Sequence, residues 1–121
     1  MTPEPEHPES QTLRKAFPAF DQSELVDWLA QQSFQKDFEP DITLLQVGSI
    51  VRHIPLIIRG SVKVSRQDVE GREIFLYYIL PGETCAMTLS ACYRGETSRV
   101  IAVTQEQSTI VLVPAVLIHE A

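Results

Sequence analysis

The chain has 121 residues, enough for one domain with a single modest core. Apolar residues make up 44% and charged residues 21%, ordinary values for a globular protein, and no apolar run approaches the roughly 20 residues that cross a bilayer. The formal net charge is -6 and the ten Lys and Arg residues are scattered, so the clustered basic surface that nucleic-acid phosphates require is not expected in this segment.

Residues 1–12 hold Pro3, Pro5 and Pro8 among Glu4, Glu6 and Glu9. Such a segment buries too little apolar surface to offset its ordering entropy, and a disordered acidic tail is expected. Its acidic start excludes a secretory signal, and a cytoplasmic location follows as the expectation. An ordered domain is expected over 13–121. Within it, Leu13, Phe17 and Phe20 predict a short helix interrupted by Pro18. Asp21 stands three residues before Glu24, like a capping box, and Leu25, Trp28 and Leu29 follow at helical spacing.

From residue 34 the segments become short, β-branched and punctuated. Strands are predicted over 34–38, 43–47, 56–59, 61–65, 74–80, 99–104 and 108–113. Gly48, Gly60, the turn Val69-Glu70-Gly71-Arg72, Pro81-Gly82 and Gln105-Glu106-Gln107 separate them. Residues 114–121 read as a helix start with Pro114 in the first turn. Strands at intervals of about 8–12 residues indicate an all-β barrel, roll or sandwich, not a parallel α/β sheet.

Cys85 and Cys92 are too few for a disulfide scaffold. On one regular helix they lie roughly 10 Å apart along the axis, beyond the about 7 Å that a disulfide tolerates. Both read first as small apolar residues and only second as redox thiols. A metal site needs three or four ligands, His53 and His119 are distant in sequence, and no metal is expected. His53 before Ile54-Pro55 reads as a turn residue. Ser, His and Asp show no nucleophile-elbow spacing, so no enzyme activity is expected.

The order of these pieces resembles the effector domain of the Crp/Fnr family of bacterial transcription regulators. The resemblance covers about residues 13–119. It is carried by Phe17-Pro18-Ala19-Phe20-Asp21-Gln22-Ser23-Glu24-Leu25, by Leu56-Ile57-Ile58-Arg59-Gly60-Ser61-Val62-Lys63-Val64 and by Glu70-Gly71-Arg72-Glu73 running to Pro81-Gly82-Glu83. The final strand and its proline, Glu106 to Pro114, also agree. The resemblance implies a mainly-β fold, a double-stranded β-helix or jelly-roll of the cyclic-nucleotide-binding type, with N-terminal helices and the start of a C-terminal helix. It implies a homodimer formed through the helix after Pro114, and DNA contact only through a helix-turn-helix domain that these residues do not include. The chain ends seven residues after Pro114, and it is expected to be a piece of a longer regulator.

The resemblance also implies a candidate ligand pocket at Tyr78, Gly82, Glu83, Cys85, Ala86, Met87, Thr88, Ser98 and Arg99. Cyclic-nucleotide binders carry a phosphate cassette there: a Gly-Glu pair opening a short helix, then an Arg about ten residues on. Helix-start amides and the Arg hold the phosphate, and the Glu takes a ribose hydroxyl. Here Ala86 stands at the Gly position, Met87 at the Glu position and Ser98 at the Arg position, with Arg99 beside it. A phosphate buried without a paired cation is costly, so cyclic AMP binding is not expected and no cofactor is assigned. Another small-molecule effector, or side chains such as Met87, Leu89 and Tyr78, would fill the pocket. The competing readings are a working cyclic-nucleotide module, which needs Arg99 in the pocket, and a cupin-like metalloenzyme.

Overall fold

In the computed structural model, residues 6–18 and 23–119 are described. The Phe20 and Asp21 positions expected to end the first helix and cap the second lie outside them, as do residues 1–5 of the expected tail. Residues 6–12 are not a tail. The Gln35 amide donates to the Glu6 carbonyl, the His7 ring is hydrogen-bonded to the Ser33 carbonyl at 2.8 Å, and Pro8 is buried. Helix α1 then runs Ser10–Ala16 and α2 Ser23–Gln32. The acidic composition of 1–12 pointed to disorder, but backbone pairing with the start of β1 and the burial of Leu13 anchor its second half.

The strands follow as β1 Phe34–Phe38, β2 Thr43–Leu45, β3 His53–Arg59, β4 Val62–Gln67 and β5 Glu73–Ile79. Helix α3 spans Ala86–Arg94, β6 Ile101–Thr104, β7 Ser108–Pro114 and α4 Val116–His119. All pairings are antiparallel and form two sheets, β1-β7-β3 and β2-β6-β4-β5. This is the mainly-β roll expected from the strand spacing.

Alternation along the strands divides the interior into two clusters. On the first sheet Ile54, Leu56, Val111 and Val113 face the N-terminal helices, where Leu13, Phe17, Val26 and Ala30 cover them. Ile57 and Ile110 point the other way, toward Val62, Val64, Ile79 and Ala102 of the second sheet. Each buried aliphatic side chain stabilises by about 1.5–3 kcal/mol, so the two clusters together carry most of the folding energy.

Three local expectations change. His53 is not in a turn but opens β3, opposite Pro114. Pro55 is tolerated inside that strand because β3 is an edge of its sheet and the missing N–H points away from β7. Pro114 closes β7 instead of opening a helix. The strand expected at 99–104 begins only at Ile101, because the Ser98 hydroxyl accepts from the Val100 amide at 3.1 Å and donates to its carbonyl at 2.9 Å. The turn expected at 69–72 forms, held by Asp68. Its carboxylate accepts from the Glu70 and Arg72 amides, and the Arg72 amide above all holds it below the usual carboxylate range.

Gly60 joins β3 to β4 with φ 89°, and a Cβ there would stand 2.7 Å from both the Gln107 carbonyl oxygen and Ser108 Cα. Gly60→Ala is expected to destabilise by about 2–4 kcal/mol, the left-handed penalty plus backbone overlap. Gly48 has a similar φ of 86° and nothing within 4 Å of an added Cβ. Gly48→Ala should therefore lose only about 1–2 kcal/mol. Urea midpoints of the two variants test the difference.

Candidate functional site

The turn after β5 positions the site. The Gly82 amide donates to the Ile57 carbonyl at 2.8 Å, and the Ile57 amide donates to the Glu83 carbonyl at 3.1 Å. The Glu83 carboxylate accepts from the Leu80 amide at 2.8 Å, and the Thr84 hydroxyl donates to the Pro55 carbonyl at 2.6 Å. These bonds lay residues 82–84 along the free edge of β3 and aim the chain into α3. Gly82 has φ 84°, and a Cβ there would meet the Ala16 carbonyl at 2.7 Å, so α1 also rests on this turn.

Cys85 caps α3: its sulfur accepts from the Thr88 amide at 3.4 Å. Gly95 ends the helix in the left-handed region, as helix C-termini commonly do. Cys85 is fully buried in the inter-sheet cluster, and its sulfur lies 3.3 Å from the Tyr77 hydroxyl. Tyr77 stands in a cross-strand row with Val64 and Ala102, which are both buried. Its phenol thus reaches across the roll to the first turn of α3, where the Met87 amide also acts on it. Burial first, and then the Cys85 sulfur, pushes the phenol up to about 12.

The structure brings together Gly82, Glu83, Cys85, Ala86, Met87 and Thr88 around this corner, and it sends two expected pocket residues elsewhere. Tyr78 pairs with Lys63 on the outer face of the second sheet and packs against Phe75, with ring centroids 4.8 Å apart and the rings tilted by 50°. Neighbouring strand residues point to opposite faces, so Tyr77, not Tyr78, is the inward aromatic. Arg99 lies in the loop before β6, its side chain 75% exposed and paired with Glu96 at 3.4 Å. Ser98 is buried, but both capacities of its hydroxyl go to Val100. Met87 is exposed, whereas Thr88 is buried with its hydroxyl oxygen lacking a hydrogen-bond partner among the described residues.

Sequence reasoning missed Tyr77, because the register break between Val64 and Ser65 hides its pairing with Val64 from a count along the hairpin. It also missed a second feature. A cavity of about 440 Å³ opens between the β1 and β2 edges of the two sheets. Lys36, Arg52 and His53 line it together with Phe38, Leu45 and Thr88. The Lys36 ammonium lies 5.3 Å from the Phe38 ring centroid, a cation–π distance.

Both cysteines are free and buried. The Cys92 thiol donates to the Ala115 carbonyl at 3.4 Å, and burial pushes its pKa up. That is the opposite of the exposed, low-pKa thiolate that redox sensing uses. Native protein should therefore react slowly with Ellman's reagent at neutral pH, at a rate set by opening of the fold, and release both thiols in urea.

Tyr77 supplies a second test. The folded phenol keeps its proton longer than an unfolded one. Its contribution to stability is complete below pH 10.0 and is lost as the pH rises toward about 12. Tyr77→Phe should flatten the fall in stability across that window, measured as urea midpoint against pH.

Comparison with known proteins gives the family. The sequence model described as "Cyclic nucleotide-binding domain" matches residues 35–120. No curated protein matches the chain. Among solved structures, the sensor domain of the transcriptional regulator DNR from Pseudomonas aeruginosa superposes with TM-score 0.75 at 17% identity, over 92% of this chain and 74% of that one. The regulatory subunit of a cAMP-independent protein kinase A from Trypanosoma brucei gives 0.76 at 19%, over 87% and 38%. Its Trypanosoma cruzi counterpart bound to guanosine gives 0.78 at 16%, over 87% and 37%. The chain spans half or less of the first five structures that it matches. No described helix is long and apolar enough to cross a membrane. With the family match covering more than two thirds of its length, this chain belongs to the cyclic nucleotide-binding domain family.

Proposed function

We propose that the chain is the regulatory effector domain of a Crp/Fnr-type transcription regulator, and that its phosphate corner does not hold cyclic AMP. One observation carries the second half. The opening turn of α3, where the family's amides would take a phosphate, is met by the Tyr77 phenol, bonded to the Cys85 sulfur. The cation that the alignment offers, Arg99, is turned to solvent against Glu96. Met87 offers no carboxylate to a ribose hydroxyl. A cyclic nucleotide would have to displace the phenol and bury an unpaired phosphate, and both steps oppose binding.

The regulatory half rests on the fold and on likeness. The chain superposes on the sensor domain of a transcriptional regulator over 92% of its length. In this reading a small effector shifts a conformational equilibrium, and α4, continued beyond this segment, passes the shift to a dimer partner and a DNA-binding domain. That three of the solved structures come from kinase subunits named as cAMP-independent supports a family member that answers to something else.

The alternative within the same family is a working cyclic-nucleotide module. Isothermal calorimetry with cyclic AMP and cyclic GMP decides between them. The expected Kd is weaker than about 1 mM, or roughly -4 kcal/mol. Micromolar binding that Arg99→Ala abolishes would install the alternative instead.

A further inference from the structure

The cavity between the β1 and β2 edges adjoins the phosphate corner through Thr88, and its lining has an unusual charge. The chain has 16 acidic and 10 basic residues, yet the cavity is lined by Lys36, Arg52 and His53 and by no carboxylate. Arg52 forms no ion pair among the described residues. Lys36 occupies an inward position of β1, opposite the buried Ile110 and two residues from Phe38. An inward charge on an edge strand also guards against edge-to-edge pairing. That role explains Lys36 alone. It does not explain why Arg52, just before β3, and His53, its first residue, converge on the same space.

Phe38, Leu44, Leu45 and Leu112 supply apolar wall, and Thr43, Gln46 and Ser49 add polar groups to the lining. Thr88, also in the lining, holds a buried hydroxyl oxygen without a partner among the described residues. An unpartnered buried hydroxyl costs free energy, and a bound acceptor or donor would recover it. The volume of about 440 Å³ falls within the range of small-molecule sites. Apolar walls with a few convergent polar groups and a cationic rim fit an amphipathic anion.

We infer that this cavity binds a small organic carboxylate, its anionic head held by Arg52 and Lys36 and its apolar body laid against Phe38, Leu45 and Leu112. The guanidinium fork matches a carboxylate in two parallel hydrogen bonds. This deepens the regulatory reading by naming the effector's chemical class, and it does not depend on the outcome of the nucleotide titration.

The test uses octanoate, 1-octanol and inorganic phosphate as probes, followed by amide chemical shifts of the whole chain. Octanoate should give saturable shifts at Lys36, Leu45, Arg52 and Leu112. 1-Octanol should bind at least about tenfold more weakly, and phosphate should not saturate. Arg52→Gln and Lys36→Gln should each weaken octanoate at least fivefold. Arg59→Gln, at the far end of β3 and outside this cavity, should leave it unchanged. Equal binding of octanol would reduce the cavity to an apolar hole. Equal binding of phosphate would reduce it to a surface charge. Either result, or an absence of saturable shifts at those amides, overturns the inference while the closed phosphate corner stands or falls on calorimetry alone.

Discussion

Everything in this fold leans on β7. It lies between β1 and β3, and its side chains alternate between two interiors. Val111 and Val113 belong to the cluster under the helices, and Ile110 belongs to the cluster between the sheets. A slip of one residue would exchange these two sets and unseat both clusters at once. The strand therefore fixes register for its neighbours and couples the helical layer to the roll. Two clusters that share a strand open as one cooperative unit rather than as separable parts.

That rigidity gives the two candidate binding regions their different characters. At the α3 corner the row from Tyr77 through Val64 to Ala102 brings a phenol onto the helix start, 3.3 Å from the Cys85 sulfur. At the opposite side of the second sheet, β2 is only three residues long. The register break between Thr43 and Leu45 keeps it from following β6 closely. The Ile42 amide and the Glu39 carbonyl are instead tied to the Thr104 hydroxyl at 2.8 and 2.7 Å. A short, irregular edge strand cannot seal the sandwich against β1, and the cavity is the result.

The fold was legible because its signals are local. Gly60, Gly71 and Gly82 all adopt the positive φ that their turns require, and each sits between apolar runs. Strand positions followed from β-branched residues between those marks. The site was less legible. Choosing Tyr77 over Tyr78 needed the parity of β5 against β4, and the register break between Val64 and Ser65 hides that parity from any count along the sequence. Arg52, His53 and Lys36 carry no motif. They become neighbours of one cavity only when β1 and β3 take their places on either side of β7, which is a property of topology rather than of spacing. Residues 6–12 misled in the opposite sense: their composition is that of a tail, and only pairing to Gln35 anchors them.

One detail of α3 reaches further than its size suggests. Helix starts are usually tied down by a hydroxyl or carboxylate oxygen, whereas this one relies on the Cys85 sulfur, a weak acceptor. Sulfur fits the apolar surroundings better than oxygen would, at the expense of a firm first turn. The segment spanning the floor of the roll is thus fastened least where the two sheets meet it. Amide hydrogens of Met87 and Thr88 would exchange ahead of those deeper in the same helix.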